Sequence, residues 1–166
     1  MSPKKIRTGI IGCGTISRIH IRNMFNDKNT EVVALCDSFQ KSNELLAKEF
    51  TVAIKAIPPN ETDIQKFLTS FDLDAVLIAP PHAMHHDHTV AALEAGLDVL
   101  LEKPMDVNTE EALSLIKTRD QTGKTLVTFF QGNLSPLVRL ASQGICQRHS
   151  MPGLGSHCHW HLAPGP

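Results

Sequence analysis

Apolar residues along the chain fall into short continuous runs, separated by stretches in which they recur every three or four positions. Residues 5–11 form the first run, Ile-rich and interrupted only by Arg7, Thr8 and Gly9, and they read as a strand. A glycine turn at 12–14 leads into a helix over 15–25, with Ile16, Ile19 and Met24 on its apolar side. Residues 31–36 are a second strand, continuously apolar as a strand covered on both faces requires. Helical spacing returns over 42–50, and 51–57 reads as a short third strand. Pro58 and Pro59 break the chain before a helix over 63–69. The alternation then repeats. A strand at 75–79 is followed by a helix at 86–95 that Gly96 closes, and a strand at 99–101 by a loop at 102–105. Asn108 or Thr109 caps a helix to residue 122, with Glu110 and Glu111 at its positive end; Gly123 stops it before a sixth strand at 126–130.

Strand and helix thus alternate about six times through short connections. Consecutive parallel strands need crossovers, and helices are the usual ones, so the pattern predicts a doubly wound α/β fold with a mostly parallel sheet, of the Rossmann type. Beyond Ser135 the pattern stops. Residues 136–145 have helical spacing, while 147–166, rich in Gly, Pro and His, follow neither period. The expected organisation is a dinucleotide-binding domain over 1–134, then the start of an interdomain helix and an irregular tail over 135–166.

Composition narrows the function classes. The 166 residues are 42% hydrophobic and 20% charged, and 16 Lys and Arg face 17 Asp and Glu. That balance gives no electrostatic reason to expect nucleic-acid or membrane binding. The opening MSPKKIR lacks the apolar core of a secretory signal, and no run approaches the roughly 18 apolar residues of a membrane span. Cys13, Cys36, Cys146 and Cys158 have no paired or zinc-binding spacing, which suits a reduced, cytoplasmic chain.

The first glycine turn carries the chemistry. Gly12-x-Gly14-x-x-Ser17 joins a strand to a helix. Gly12 permits the tight turn, Gly14 lets a pyrophosphate approach the backbone, and the small Ser17 suits helix–strand packing. Asp37, just after the second strand, is placed to bind the adenosine ribose hydroxyls. Its charge repels a 2′-phosphate and favours NAD, while Lys41 close by keeps NADP open.

The stretch AVLIAPPHAMHHDHTVAALEAGLDVLLEKPM is more specific. Pro80-Pro81-His82-Ala83-Met84-His85, then Ala92-Leu93 with Ala95-Gly96, then Glu102-Lys103-Pro104, follow the glycine loop and His20 in fixed order. Over about residues 5–141 the chain resembles the Gfo/Idh/MocA family, named for glucose–fructose oxidoreductase and inositol dehydrogenase. Pro80 stands where that family commonly has threonine. The resemblance implies that Lys103 lies beside the nicotinamide and the reacting carbon, holding the substrate oxygen as charge develops. It implies cofactor contacts from Gly12, Gly14, Thr15, Ile16, Asp37, Ala79, Pro80, Pro81, His85, Glu102 and Lys103. The implied substrates are a sugar, polyol, cyclitol or dihydrodiol. Family members continue into an α+β domain through which their oligomers form, so homo- and hetero-oligomers both stay open.

His82, His85, His86 and His88 with Asp87 invite a metal reading, as do His157, Cys158, His159 and His161 in the tail. Metal ligands need a common focus and supporting partners, which neither cluster's spacing supplies, so no metal is expected. The likeness ends after about Ala141, and Gly132 and Asn133 stand where the family tends to have arginine. A truncation, frame change or alternative splice is the expectation there. Two functions follow: an oxidoreductase complete only in a longer form, weak or inactive as this chain, or a non-catalytic NAD(P)-binding regulatory or partner module.

Overall fold

A computed structural model describes residues 4–54 and 59–129 of the chain. Its elements alternate as β1 (Ile6–Ile11), α1 (Thr15–Asn26), β2 (Thr30–Cys36), α2 (Gln40–Ile54), β3 (Asn60–Glu61), α3 (Ile64–Ser70), β4 (Ala75–Ile78), α4 (His85–Glu94), β5 (Asp98–Glu102), α5 (Thr109–Thr122) and β6 (Leu126–Phe129). A 3-10 turn, His82–Met84, leads into α4. The strands form one sheet in the order β3-β2-β1-β4-β5-β6, with every neighbouring pair parallel. This is the doubly wound Rossmann sheet that the alternation predicts. Chain direction across it reverses between β1 and β4, the place where such sheets open a crevice at the carboxyl ends of their strands.

The period of two explains the layers. Ile10, Leu35 and Leu77 project to one face and pack with Ile21, Leu46, Ala47 and Phe50 of α1 and α2. Their neighbours Ile11, Ala34, Cys36, Val76 and Ile78 project to the other, against Phe67, Leu68, Ala92, Leu93 and Leu115 of α3, α4 and α5. Both faces of the central strands are covered, hence their unbroken apolar runs. Phe67 lies so close beneath β1 that a Cβ on Gly9 would come within 2.7 Å of its ring. At the amino edge, the Arg7 guanidinium donates from Nε and Nη2 to both oxygens of Asp74, tying β1 to the approach to β4. That guanidinium holds the Asp74 carboxyl well below the usual carboxylate range.

One element is corrected. The expected strand over 51–57 is not formed where the structure describes it: α2 runs through to Ile54, and the third strand is the two-residue Asn60–Glu61. The apolar run TVAI suits either period, and the helix wins because Leu46, Ala47 and Phe50 already commit α2 to the sheet. Thr51 Oγ1 donates to the Ala47 carbonyl, continuing the helical turn. Pro59, lacking an N–H, still gives its carbonyl to Leu35 N–H at 3.0 Å and so leads the chain into β3. The other boundaries agree to within two residues. Asn108 is the cap of α5, its side chain accepting from Glu111 N–H at 2.7 Å. Among the described residues no helix is long and apolar enough to cross a membrane. The expected helix over 136–145, the tail, Cys146 and the cluster His157, Cys158, His159 and His161 lie outside the described residues.

Candidate functional site

Parallel pairing brings the carboxyl ends of β1, β2, β4 and β5 to one edge, and a cleft of about 540 Å³ opens there. Gly12, Gly14, Thr15 and Ile16 form its floor, Asp37 and Phe39 one wall, and Ala79, Pro80 and Pro81 the other. These include every glycine-loop and β4-loop position expected to touch a cofactor. His85, Glu102 and Lys103 are not among the residues lining it.

The floor is set by backbone constraints. Gly12 has φ of 87° and donates its N–H to the Cys36 carbonyl at 2.8 Å. Ser17, fully buried, returns its hydroxyl to the Gly12 carbonyl and locks the loop onto the first turn of α1. Gly14 is the N-cap of α1, extended at φ −79° and with no side chain capping the helix. The first-turn amides are therefore left without a side-chain acceptor, whereas Asp63 and Asn108 cap α3 and α5. A Cβ built on Gly14 meets nothing within 4 Å, so the space beside this helix end is open. A diphosphate fits this cradle: an anion takes up free amides at the positive end of a helix.

Asp37 faces two ways. Its Oδ2 accepts from Cys13 N–H at 2.8 Å and its Oδ1 from Phe39 N–H at 2.9 Å. Each carboxylate oxygen retains a further lone pair for a hydroxyl. Sequence reasoning missed Asn43, which is fully buried and holds this corner together. Its Nδ2 donates to the carbonyls of Asp37 and Glu61, both at 3.1 Å, and its Oδ1 accepts from the Cys13 thiol at 3.1 Å. A polar residue on the buried face of a helix was the only available signal.

Burial, reinforced by the Asp37 carboxylate, pushes both the Cys13 and the Cys36 thiols from 9.0 up to about 12. Because the folded value exceeds the unfolded one, the stabilisation is complete below pH 9 and is lost as pH rises from there toward 12. Iodoacetamide at about pH 8 is accordingly expected to spare Cys13 and Cys36 in the folded chain and to label both in urea, read by peptide mass. Labelling of either at the rate of a free thiol would contradict this burial.

The Lys103 segment is braced from beneath. Glu102, only 5% exposed, accepts from His20 at 2.6 Å through Oε1 and from Lys103 N–H at 3.0 Å through Oε2. The His20 ring packs edge-on against Phe129, centroids 4.7 Å apart. Beyond Lys103, which is itself exposed, the peptide to Pro104 is cis. His85 is 1% exposed, with Nδ1 at 2.8 Å from the Pro104 carbonyl and Nε2 at 3.2 Å from that of Pro80. It thereby bridges the β4 and β5 loops. Glu102 and His85 thus face inward as supports for the loops at the cleft.

The remaining histidines disperse. His82 is exposed and packs edge-on against His85, while His86 reaches Asp87 and Ser114. His88 lines the cleft with Nδ1 unpartnered, and burial pulls its pKa down. Among the described residues no group of three or more His, Cys, Asp or Glu is placed to hold a metal ion.

With this geometry in place, likenesses to known proteins are informative. Residues 6–130 match the profile of the Gfo/Idh/MocA oxidoreductase family, described as an NAD-binding Rossmann fold. D-glucoside 3-dehydrogenase of Escherichia coli is 31% identical over 131 residues, 78% of this chain and 36% of that protein. A variant of KijD10, a 3-ketoreductase from Actinomadura kijaniata solved with TDP-benzene and NADP, superposes with a TM-score of 0.74 at 27% identity, covering 87% of this chain and 44% of its own. Scyllo-inositol dehydrogenase from Lactobacillus casei, solved with NAD(H) and scyllo-inositol, gives 0.76 at 24% identity, covering 87% and 42%, and speaks for the fold. The chain spans a little over a third of the length of the glucoside dehydrogenase it matches. The family profile covers most of the chain, and the glycine loop, Asp37 and the Glu102-Lys103-Pro104 segment stand together at the carboxyl edge of a Rossmann sheet; the chain belongs to the Gfo/Idh/MocA family of NAD-binding oxidoreductases.

Proposed function

We propose that the chain supplies the cofactor half of an oxidoreductase site, binding NAD(H) in preference to NADP(H), for a substrate of the sugar, polyol, cyclitol or dihydrodiol class. The observation that carries this reading is the convergence, at one sheet edge, of a helix amino terminus without a side-chain cap and a carboxylate, Asp37, lining the same cleft. Held there, NAD would supply the hydride acceptor for a carbinol carbon or, in its reduced form, the hydride donor for a carbonyl.

The chain's own residues do the rest. The amides of the first turn of α1 hold the diphosphate, and Asp37 holds the adenosine ribose while its charge disfavours a 2′-phosphate. The Lys103 ammonium holds the substrate oxygen and offsets the negative charge that develops on it. Glu102 on the backbone N–H of Lys103 and His85 on the carbonyl of Pro104 fix the segment that presents it. Lys103 is exposed, and hydride transfer needs a substrate held in place and a group to handle the hydroxyl proton. This chain is therefore expected to bind cofactor and to oxidise inositol or glucosides slowly or not at all. The reading places it in the cytoplasm, where its buried thiols stay reduced.

Thermal-shift titration with NAD and NADP, followed by an activity screen on inositols and glucosides, tests the proposal. A larger shift with NAD is expected. Asp37→Asn is expected to weaken NAD about tenfold and to narrow its lead over NADP, since about 1.4 kcal/mol separates a tenfold change. A shift with little or no turnover is the expected result, and no shift with either nucleotide at millimolar concentration would overturn the reading.

A further inference from the structure

Among the described residues, the large hydrophobic side chain most open to solvent lines the cleft. Phe39 is 73% exposed and lines the cavity two residues beyond the ribose-facing carboxylate. Its backbone is held, because Phe39 N–H donates to Asp37 Oδ1 at 2.9 Å, and Ser42 N–H donates to the Phe39 carbonyl at 2.8 Å as α2 begins. On the β4 side the cavity is lined by Pro80, Pro81 and Met84, the last 39% exposed, together with His88. An aromatic face left in water on a fixed turn, opposite prolines, suits a flat, uncharged, aromatic ligand group.

The topology decides which group that is. Asp37 and Phe39 lie past β2, on one side of the β1–β4 switch point, and Lys103 follows β5 on the other. A dinucleotide straddling the switch point puts its adenosine over β2 and its nicotinamide toward β5. We infer that Phe39 is the adenine-stacking residue of this cleft, holding the base against the Pro80-Pro81 wall. The inference rests on the dinucleotide reading and deepens it. The Phe39 ring recognises an adenosine diphosphate moiety, so ADP-ribose binds with much of the affinity of NAD, and nicotinamide mononucleotide binds poorly.

The test is calorimetric titration of ADP-ribose and nicotinamide mononucleotide into the whole chain and its Phe39 variants. Phe39→Ala is expected to weaken ADP-ribose about tenfold, within the range for removing one base–aromatic stack. Phe39→Trp is expected to restore affinity and Phe39→Leu to recover only part of it. Adenine stacked on the indole introduced by Phe39→Trp should also quench its emission, beyond any change seen from Trp160 in the unsubstituted chain. The Phe39 side chain is mostly in solvent, so equal Tm values are expected and verify that each variant is folded. Equal ADP-ribose affinity in the unsubstituted chain and Phe39→Ala overturns the stacking role and leaves the dinucleotide reading intact. Absence of ADP-ribose binding in the unsubstituted chain overturns both.

Discussion

Gly12→Ala is expected to weaken dinucleotide binding and to destabilise the fold, whereas Gly14→Ala weakens binding alone. At Gly12 the added Cβ lands 2.5 Å from Pro80 N and 2.6 Å from the Ala79 carbonyl carbon, both backbone atoms of the facing strand end. The φ of 87° adds a conformational strain of roughly 1–2 kcal/mol for any L side chain. Relief requires β1 and β4 to part where their registers meet, at Ile11 opposite Ile78, which opens the floor of the cleft. At Gly14 the backbone is extended and the space above is open, so alanine is tolerated by the fold. Its methyl group then stands in open space beside the first-turn amides, where it would crowd a bound diphosphate. Losing charge-assisted hydrogen bonds to phosphate weakens NAD roughly 10- to 100-fold. The pair is read by Tm and by NAD titration. Equal stability losses in the two variants, or unaltered NAD affinity in Gly14→Ala, would show that the loop is an ordinary turn.

Glu102→Ala is expected to lower Tm by about 10 °C, corresponding to about 3 kcal/mol in a chain of this length. The substitution leaves the His20 ring buried without its acceptor and frees Lys103 N–H. An orphaned buried polar group costs more than its hydrogen bond contributes. Glu102→Gln retains one acceptor oxygen and can place its amide against His20 if the imidazole adopts the complementary tautomer, so it loses less. His20→Phe combined with Glu102→Leu removes both polar groups, and recovery of most of the stability in that double variant is expected. A fall below about 1 kcal/mol in Glu102→Ala would mean the pair is solvated, contrary to its 5% and 6% side-chain exposure. Loss of NAD affinity in Glu102→Gln without loss of Tm would instead restore Glu102 to direct cofactor contact, the role implied by resemblance.

The segment 51–54 shows where sequence reasoning reaches its limit. TVAI carries no period of its own that excludes either state, and neighbouring packing decided for helix. Every long apolar run, by contrast, became a strand of the parallel sheet, because such a run can be buried on both faces only there. The glycine loop was legible for a related reason. Close approach at Gly12 and open space at Gly14 are demands on a single residue type, visible as glycines at fixed spacing.

The alternation, the doubly wound class, the glycine loop, the acid after β2 and the Glu-Lys-Pro segment can all be read from residue order, because each is local or repeats at short range. Which of those polar groups reach the cleft was settled by three-dimensional packing. His85 and Glu102 stand next to cofactor positions along the chain, yet turn inward to hold Pro104 and His20. Phe39, given no role from sequence, and His88, weighed there only within a metal cluster, line the cavity instead, and Asn43 ties three loop ends from within the core. A side chain's destination depends on partners up to 82 residues away, as between His20 and Glu102, and spacing along a chain carries no information about which distant group completes a buried hydrogen bond.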